Sequence, residues 1–304
     1  FMPCVAIDND GNPFAGVKVA SDPASVYEGI LQSQDGGNSW LSAVDASANA
    51  DGDAVCECCP SQPFYAAGRY YDLVRNNNAN IRDFWLMSSA DGTNWDAALD
   101  IDPLDWEINS CPESGATVTG PIQGSKYLSA FMSAAGPSGQ SRVYVSKMDL
   151  EANGGQGDWL STEPVTVSQF DNATQNNPSL SQWQGPDGNS ILALAWEQNA
   201  GGYDVQIALS SSEDWSLTDV AQNLTAEWSG QHRKPVLVFT TDASGEPLLH
   251  VAWQNSSTGT VHYLRGGVVS TVGTVCLSHP EPQIISDHNG ITVEVGSKWS
   301  NSNY

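Results

Sequence analysis

The chain has 304 residues, with 11 Lys and Arg against 35 Asp and Glu, for a formal net charge of −24. That balance argues against nucleic acid or an anionic membrane surface as partner, because both need clustered cations, and it reads as a solubility device. No apolar run is long enough to cross a bilayer as a helix, so no membrane insertion of that kind is expected.

Helical periodicity is nearly absent. Short apolar runs alternate with Gly, Asn, Asp, Ser and Pro, the pattern of β-strands and turns. Taken in chain order, six stretches share one shape, two short strands around a turn. They are Met2 to Val19, Cys59 to Asn77, Cys111 to Ser133, Asn177 to Asn199, Lys234 to Asn255 and Glu281 to Asn301. The second and third fit more loosely than the others. The repeat period is roughly 50 residues, which suits four-stranded propeller blades packed radially. The last copy runs out after Trp299, so it shows two strands of a blade. The sequence therefore predicts an all-β, six-bladed propeller with four-stranded blades, the last incomplete, formed as one domain over residues 1–304.

A second signal follows the early repeats. Ser33 to Trp40, SQDGGNSW, has the form Ser-x-Asp-x-Gly-x-Ser-Trp. Ser88 to Trp95, SSADGTNW, is a degenerate copy with Ala90 where the Asp is expected, and the stretches ending at Trp159 and Trp215 keep little beyond the Trp. The first copy resembles the Asp box, or BNR repeat, of sialidase-type propellers. The resemblance implies a turn between the two outer strands of a blade, with Asp and Ser bonded to local backbone and Trp packed beneath. It assigns the box a structural role and no chemistry.

The same family implies that innermost strands begin on the face that carries the ligand site. Read that way, the strand starts at Pro3-Cys4, Cys58-Cys59-Pro60, Ser110-Cys111-Pro112, Asn177-Pro178, Lys234-Pro235 and Glu281-Pro282 ring one channel mouth. His232 and His279 sit just before two of them. Cys56, Cys58, Cys59, the Arg75 to Asn77 segment, Arg82-Asp83 and Cys111-Pro112 also resemble a subset of bacterial secreted sialidase-like proteins with a Cys-x-Cys-Cys element. Cys4, Cys56, Cys58, Cys59, Cys111, His232 and His279 are therefore candidate ligands for a soft ion, copper or zinc. The alternative is disulfides, such as Cys56 or Cys58 with Cys111 and Cys4 with Cys276, the latter joining the first and last parts of the ring. A redox thiol is the third reading, and it needs an exposed thiol of low pKa.

A glycosidase reading has less behind it. Sialidases carry an Arg-Ile-Pro-like segment on the first inner strand, within an arginine triad that grips the substrate carboxylate. Here that position reads Met2-Pro3-Cys4. Arg75, Arg82 and Arg233 are the arginines placed to face the site, with Asp83 beside Arg82. Tyr70 and Tyr71 lie on a second strand and read as core. Trp196, Trp253 and Trp299 each end a second strand beside amide side chains, a combination suited to stacking on sugar or to packing between blades. Glu197 is a weak candidate general acid, and a lone carboxylate does not make a hydrolase.

Ser47, Asn49, Asp51 and Asp53 partly imitate a calcium loop but lack the closing Glu, with Cys58 in its place, so calcium is a weak expectation beside an ordinary acidic turn. Asp8 to Asn12 reads as a hairpin turn. Asn172, Asn223 and Asn255 head N-glycosylation sequons of a kind that an Asn- and Ser-rich chain produces by chance. Six cysteines, few lysines and a start at Phe1 fit an exported protein, extracellular, surface-bound or periplasmic. Three functions follow: a propeller with a copper-type site at its mouth, a glycan-binding propeller or diverged hydrolase stapled by disulfides, and a surface or assembly platform.

Overall fold

The computed structural model describes residues 4–22, 25–50, 55–56, 59–77, 84–100, 116–123, 126–133, 140–159, 165–167, 173–210, 221–274, 280–287 and 290–297. The chain divides into two compact units, Phe1–Val165 and Thr166–Tyr304.

The first unit contains three antiparallel sheets in chain order. Sheet one is β1 (Cys4–Ile7), β2 (Pro13–Asp22), β3 (Ser25–Gln32) and β4 (Val44–Asp45). Sheet two is β5 (Gln62–Ala66), β6 (Arg69–Arg75), β7 (Phe84–Ser89) and β8 (Leu99–Asp100). Sheet three is β9 (Thr117–Gln123), β10 (Lys126–Ser133), β11 (Arg142–Asp149) and β12 (Asp158–Trp159), with β13 (Val165–Thr166) also on β11. The second unit has β14 (Thr174–Gln184), β15 (Ser190–Asn199), β16 (Tyr203–Ser210) and β17 (Gln222–Asn223) as sheet four. Sheet five is β18 (His232–Thr241), β19 (Pro247–Asn255), β20 (Thr260–Arg265) and β21 (Val268–Thr274), and a sixth sheet pairs β22 (Pro280–Asp287) with β23 (Gly290–Ser297). Every strand but β13 pairs with its sequence neighbours, so each sheet is a meander, as the repeat predicts.

The sequence repeat is visible as a repeated turn. Between β1 and β2, Asp8 N–H donates to Asn12 O and Gly11 N–H to Asp8 O, while Asp8 Oδ1 accepts from the Asp10 and Asn12 amides. Gly185 to Asn189 and Asp242 to Glu246 close the hairpins of sheets four and five with the same backbone pair. Gly11, Gly188 and Gly245 each take φ between 81° and 91°, a region that a side chain disfavours.

Both faces of a sheet are covered, so apolar residues appear without a polar gap. In sheet two, Tyr71, Leu73, Phe84 and Leu86 join a cluster with Phe131, Tyr144 and Met148 of sheet three. Their neighbours Val74, Trp85 and Met87 point the other way, onto Phe14 and Ile30 of sheet one. Period-2 alternation across the pleat puts successive side chains in different cores. Tyr71 adds a tie, its hydroxyl donating to Leu150 O or Gly155 O at 3.1 and 2.8 Å. In the second unit, Ala193 and Ala195 make room for Trp253 and Val251 of sheet five. The first strands β14 and β18 lie side by side, where Ser179 Oγ and Ser181 Oγ accept from the Leu237 and Phe239 amides.

The stretch that resembles an Asp box lies between β3 and β4. Asp35 accepts from the Ser39 amide at 2.8 Å and from the Ser39 hydroxyl at 2.6 Å, and Ser33 Oγ accepts from Gly37 N–H at 2.7 Å. These bonds, the Ser39 hydroxyl first, hold the Asp35 carboxyl below its ordinary pKa. Two expectations need correction. Trp40 is 43% exposed and does not pack beneath its turn. The second copy is not missing its Asp: the register is offset by one residue. Ser89 and Asp91 take the two roles, with Gly92 N–H bonded to Ser89 Oγ and the Thr93 and Asn94 amides bonded to Asp91 Oδ1. Trp95 is buried there and its indole N–H donates to Gly92 O. The turn is one residue shorter, so aligning on Trp alone misplaces the acid.

Candidate functional site

Sheets four and five enter their first strands through the same irregularity. The pairing of β14 with β15 shifts between Asn176 and Ser179, and that of β18 with β19 shifts between Arg233 and Val236. Asn177 and Lys234, each before a Pro, take φ of 48° and 51°. Bulges re-aim the side chains beside them. Here the bulge sets Arg233 against sheet four. Arg233 Nη2 donates to Glu197 Oε1 at 3.0 Å and Nε lies 3.4 Å from Oε2, which also accepts the Lys234 amide at 3.1 Å. The guanidinium carbon sits 4.0 Å from the centre of the Tyr203 ring. Glu197 is buried while the Arg233 side chain keeps 17% exposure. A fork-on-carboxylate pair stacked on an aromatic ring is a rigid way to hold a cation. Glu197 receives donors on both oxygens, so both are engaged as acceptors.

Nearby, Trp228 precedes β18 and is 38% exposed. Its ring meets His262 edge-on at 4.7 Å and lies 6.1 Å from Trp253. The two tryptophans expected at the rim behave differently. Trp196 and Trp253 are both 0% exposed, so neither offers a ring face to a sugar. Trp253 Nε1–H donates to His232 Nδ1 at 3.2 Å, which occupies that nitrogen's lone pair. His232 is fully buried, and desolvation pulls its pKa below the ordinary value, so it is neutral. Asn255 is buried, with its amide bonded to Ser229 O, and is no surface acceptor for a glycan.

In the first unit, Cys56 and Cys59 come together with sulfurs 3.3 Å apart, both buried. Arg75 is 1% exposed and points inward: Nη1 lies 3.1 Å from Cys56 Sγ and 3.8 Å from Cys59 Sγ. Arg75 is therefore committed to sulfur rather than presented to a ligand. No group of three or more His, Cys, Asp or Glu side chains placed to hold a metal ion occurs among the described residues. A guanidinium in front of both sulfurs also repels a metal cation from that space. Cys58, Cys111, Cys276, Arg82, Asp83, His279 and Trp299, and Asp51 and Asp53 of the calcium-like stretch, lie outside the described residues. Ser47 of that stretch is engaged by Asp45 and the Glu28 amide, and Asn49 by Trp95 O.

The first unit also holds a buried acid pair that sequence reading missed. Glu28 on β3 and Asp72 on β6 are both 0% exposed. A Cβ at Gly16 would lie 2.3 Å from Ser61 Oγ, 3.0 Å from Glu28 Oε1 and 3.2 Å from Asp72 Oδ2, so the three converge on a glycine. Lys18 pairs with Glu28, its side chain also buried. One cation faces two carboxyls. Burial first, then the Glu28 charge, raises Asp72 well above its ordinary pKa, and burial raises Glu28 against the pull of Lys18. Two buried carboxyls in contact with one cation between them favour sharing a proton.

No family model and no curated protein matches the chain by sequence. Solved structures match it by fold. The Trypanosoma rangeli sialidase in complex with the inhibitor DANA has a TM-score of 0.56 and 14% identity, covering 96% of this chain and 52% of that chain. The chain thus spans about half the length of that sialidase. An ulvan lyase of polysaccharide lyase family PL25, bound to -[GlcA(1-4)Rha3S]-, has a TM-score of 0.56 and 11% identity, covering 93% of this chain and 71% of that chain. A second structure of that lyase gives 0.57 at 12% identity. At such identities the likeness is one of fold, and it bears out the all-β, sialidase-like propeller class expected from the repeats.

Proposed function

We propose that this protein is an exported, six-bladed, sialidase-like propeller that binds an acidic glycan, with Arg233 as the anchor for the sugar carboxylate. One observation carries the reading. Arg233 is fixed by Glu197 and Tyr203 at the start of an inner strand, yet keeps part of its side chain at the surface. A cation whose geometry is settled before binding loses little entropy on meeting a carboxylate. Trp228, exposed on the loop that leads to Arg233, supplies an aromatic face for a sugar ring. The solved relatives in fold, a sialidase and a lyase with a glucuronate-containing ligand, support the same ligand class. Five sheets of four or more strands and a two-stranded sixth support the blade number.

The proposal is binding rather than hydrolysis, because Glu197 is engaged as an acceptor and has no second carboxylate assigned to it. The copper-type reading takes second place. Among the described residues Cys56 and Cys59 come together without a third ligand, and Arg75 occupies the space before them. A panel of immobilised oligosaccharides tests the glycan reading. Binding to sialylated or uronate-containing glycans over neutral ones supports it, and binding to none, or equally to neutral ones, contradicts it.

A further inference from the structure

We propose that Cys56 and Cys59 form a thiol–disulfide couple, a two-electron redox site held by Arg75 at the end of sheet two. The spacing is Cys-x-x-Cys, Cys56-Glu57-Cys58-Cys59. The sulfurs lie 3.3 Å apart, within reach of bond formation by a small movement. That approach is built in by the sheet. Val55 bridges to Asn76 and the Cys56 amide donates to Arg75 O at 2.8 Å, which ties Cys56 to the end of β6. Cys59 stands three residues before β5, the strand hydrogen-bonded to β6, so both ends of the short loop hang on one strand pair.

Arg75 supplies the electrostatics. Its guanidinium donates to sulfur and favours thiolate over thiol. Cys56, the nearer at 3.1 Å against 3.8 Å, is the attacking thiolate. Both sulfurs are buried, so exchange with a small-molecule disulfide as oxidant goes through local opening, in which Cys56 sulfur attacks one sulfur and expels the other as thiolate. Cys59 sulfur then attacks Cys56 of the mixed disulfide and expels the second small thiolate. Two protein thiols and one disulfide become one protein disulfide and two small thiols, with both protons passing to the released thiolates. Oxidation removes the negative charge that Arg75 faces, so Arg75 stabilises the reduced form. This site is independent of the glycan reading.

The test uses the full chain equilibrated in reduced and oxidised glutathione mixtures, quenched with acid, and alkylated with mass-distinguishable reagents before peptide mapping. The expected result is a Cys56–Cys59 link, with both residues titrating together as one two-electron step. Arg75→Gln should move the exchange constant about tenfold toward the oxidised form, as loss of one charge-assisted hydrogen bond implies. In Cys56→Ser, Cys59 should stay alkylatable in the oxidising mixtures, which keeps the test valid if the Arg75 variant fails to fold. Independent titration of the two residues, or a link from either to Cys58 or Cys111, would overturn the proposal. An unmoved midpoint in folded Arg75→Gln would overturn the role given to Arg75.

Discussion

The buried Glu28–Asp72 pair gives the sharpest prediction about the fold. Lys18 pairs with one carboxyl, and the other, also fully buried, sits against it. The native pair therefore holds a proton to higher pH than the unfolded chain does. For a group whose folded pKa is raised, stability is complete below the unfolded pKa and declines as pH rises toward the folded one. The decline is about 1.4 kcal/mol per pH unit for one proton. Asp72→Asn replaces the protonated acid by a neutral isostere and removes that slope. Urea unfolding of both proteins at a series of pH values should show the difference in stability moving in favour of the variant as pH rises, by at most about 1.4 kcal/mol per pH unit. Taking the difference cancels the histidines and other groups shared by both proteins. Parallel curves for wild type and variant would refute the shared proton.

Other expectations follow from single contacts. Asp91→Ala, at the position where sequence alignment put no acid, should cost about 1 kcal/mol by thermal unfolding, since Asp91 accepts the Thr93 and Asn94 amides. Trp228→Ala should weaken binding to the best glycan at least several-fold in titration calorimetry while leaving the thermal midpoint nearly unchanged, because the ring is partly exposed. Purified protein stripped of loosely held ions should carry well under one equivalent of copper or zinc by plasma mass spectrometry. A full equivalent lost on Cys59→Ser would return the metal reading to first place.

The period of the chain was legible because sheets one, four and five end their first strands in the same turn. Asp8, Gly11, Asp242 and Gly245 are short, chemically obvious signals. The first Asp box was legible for the same reason. The second was misread because its turn is one residue shorter, and a pattern anchored on Trp95 cannot see which residue, Ala90 or Asp91, reaches the backbone. Cys56 and Cys59 come together beside Arg75, which looked in the sequence like a substrate arginine. Sequence does not show on which side of the last pleat a strand-end residue falls. Trp253 and Trp228 differ in the same way: both sit beside polar residues, and only packing against Ala193 and Ala195 marks Trp253 as core. The Glu28–Asp72 pair was invisible, since its members are 44 positions apart, on different sheets, and meet only where those sheets pack around Gly16.

The central claim is that Arg233 anchors an acidic sugar. Titration calorimetry of the best acidic oligosaccharide against wild type and Arg233→Lys tests it most directly. Lysine keeps the charge but loses the planar fork and the stacking on Tyr203. The account predicts affinity lower by about 10- to 100-fold in the variant, with the folded state intact and any binding of the neutral analogue unchanged. Equal affinity of the two proteins for the acidic glycan would contradict it.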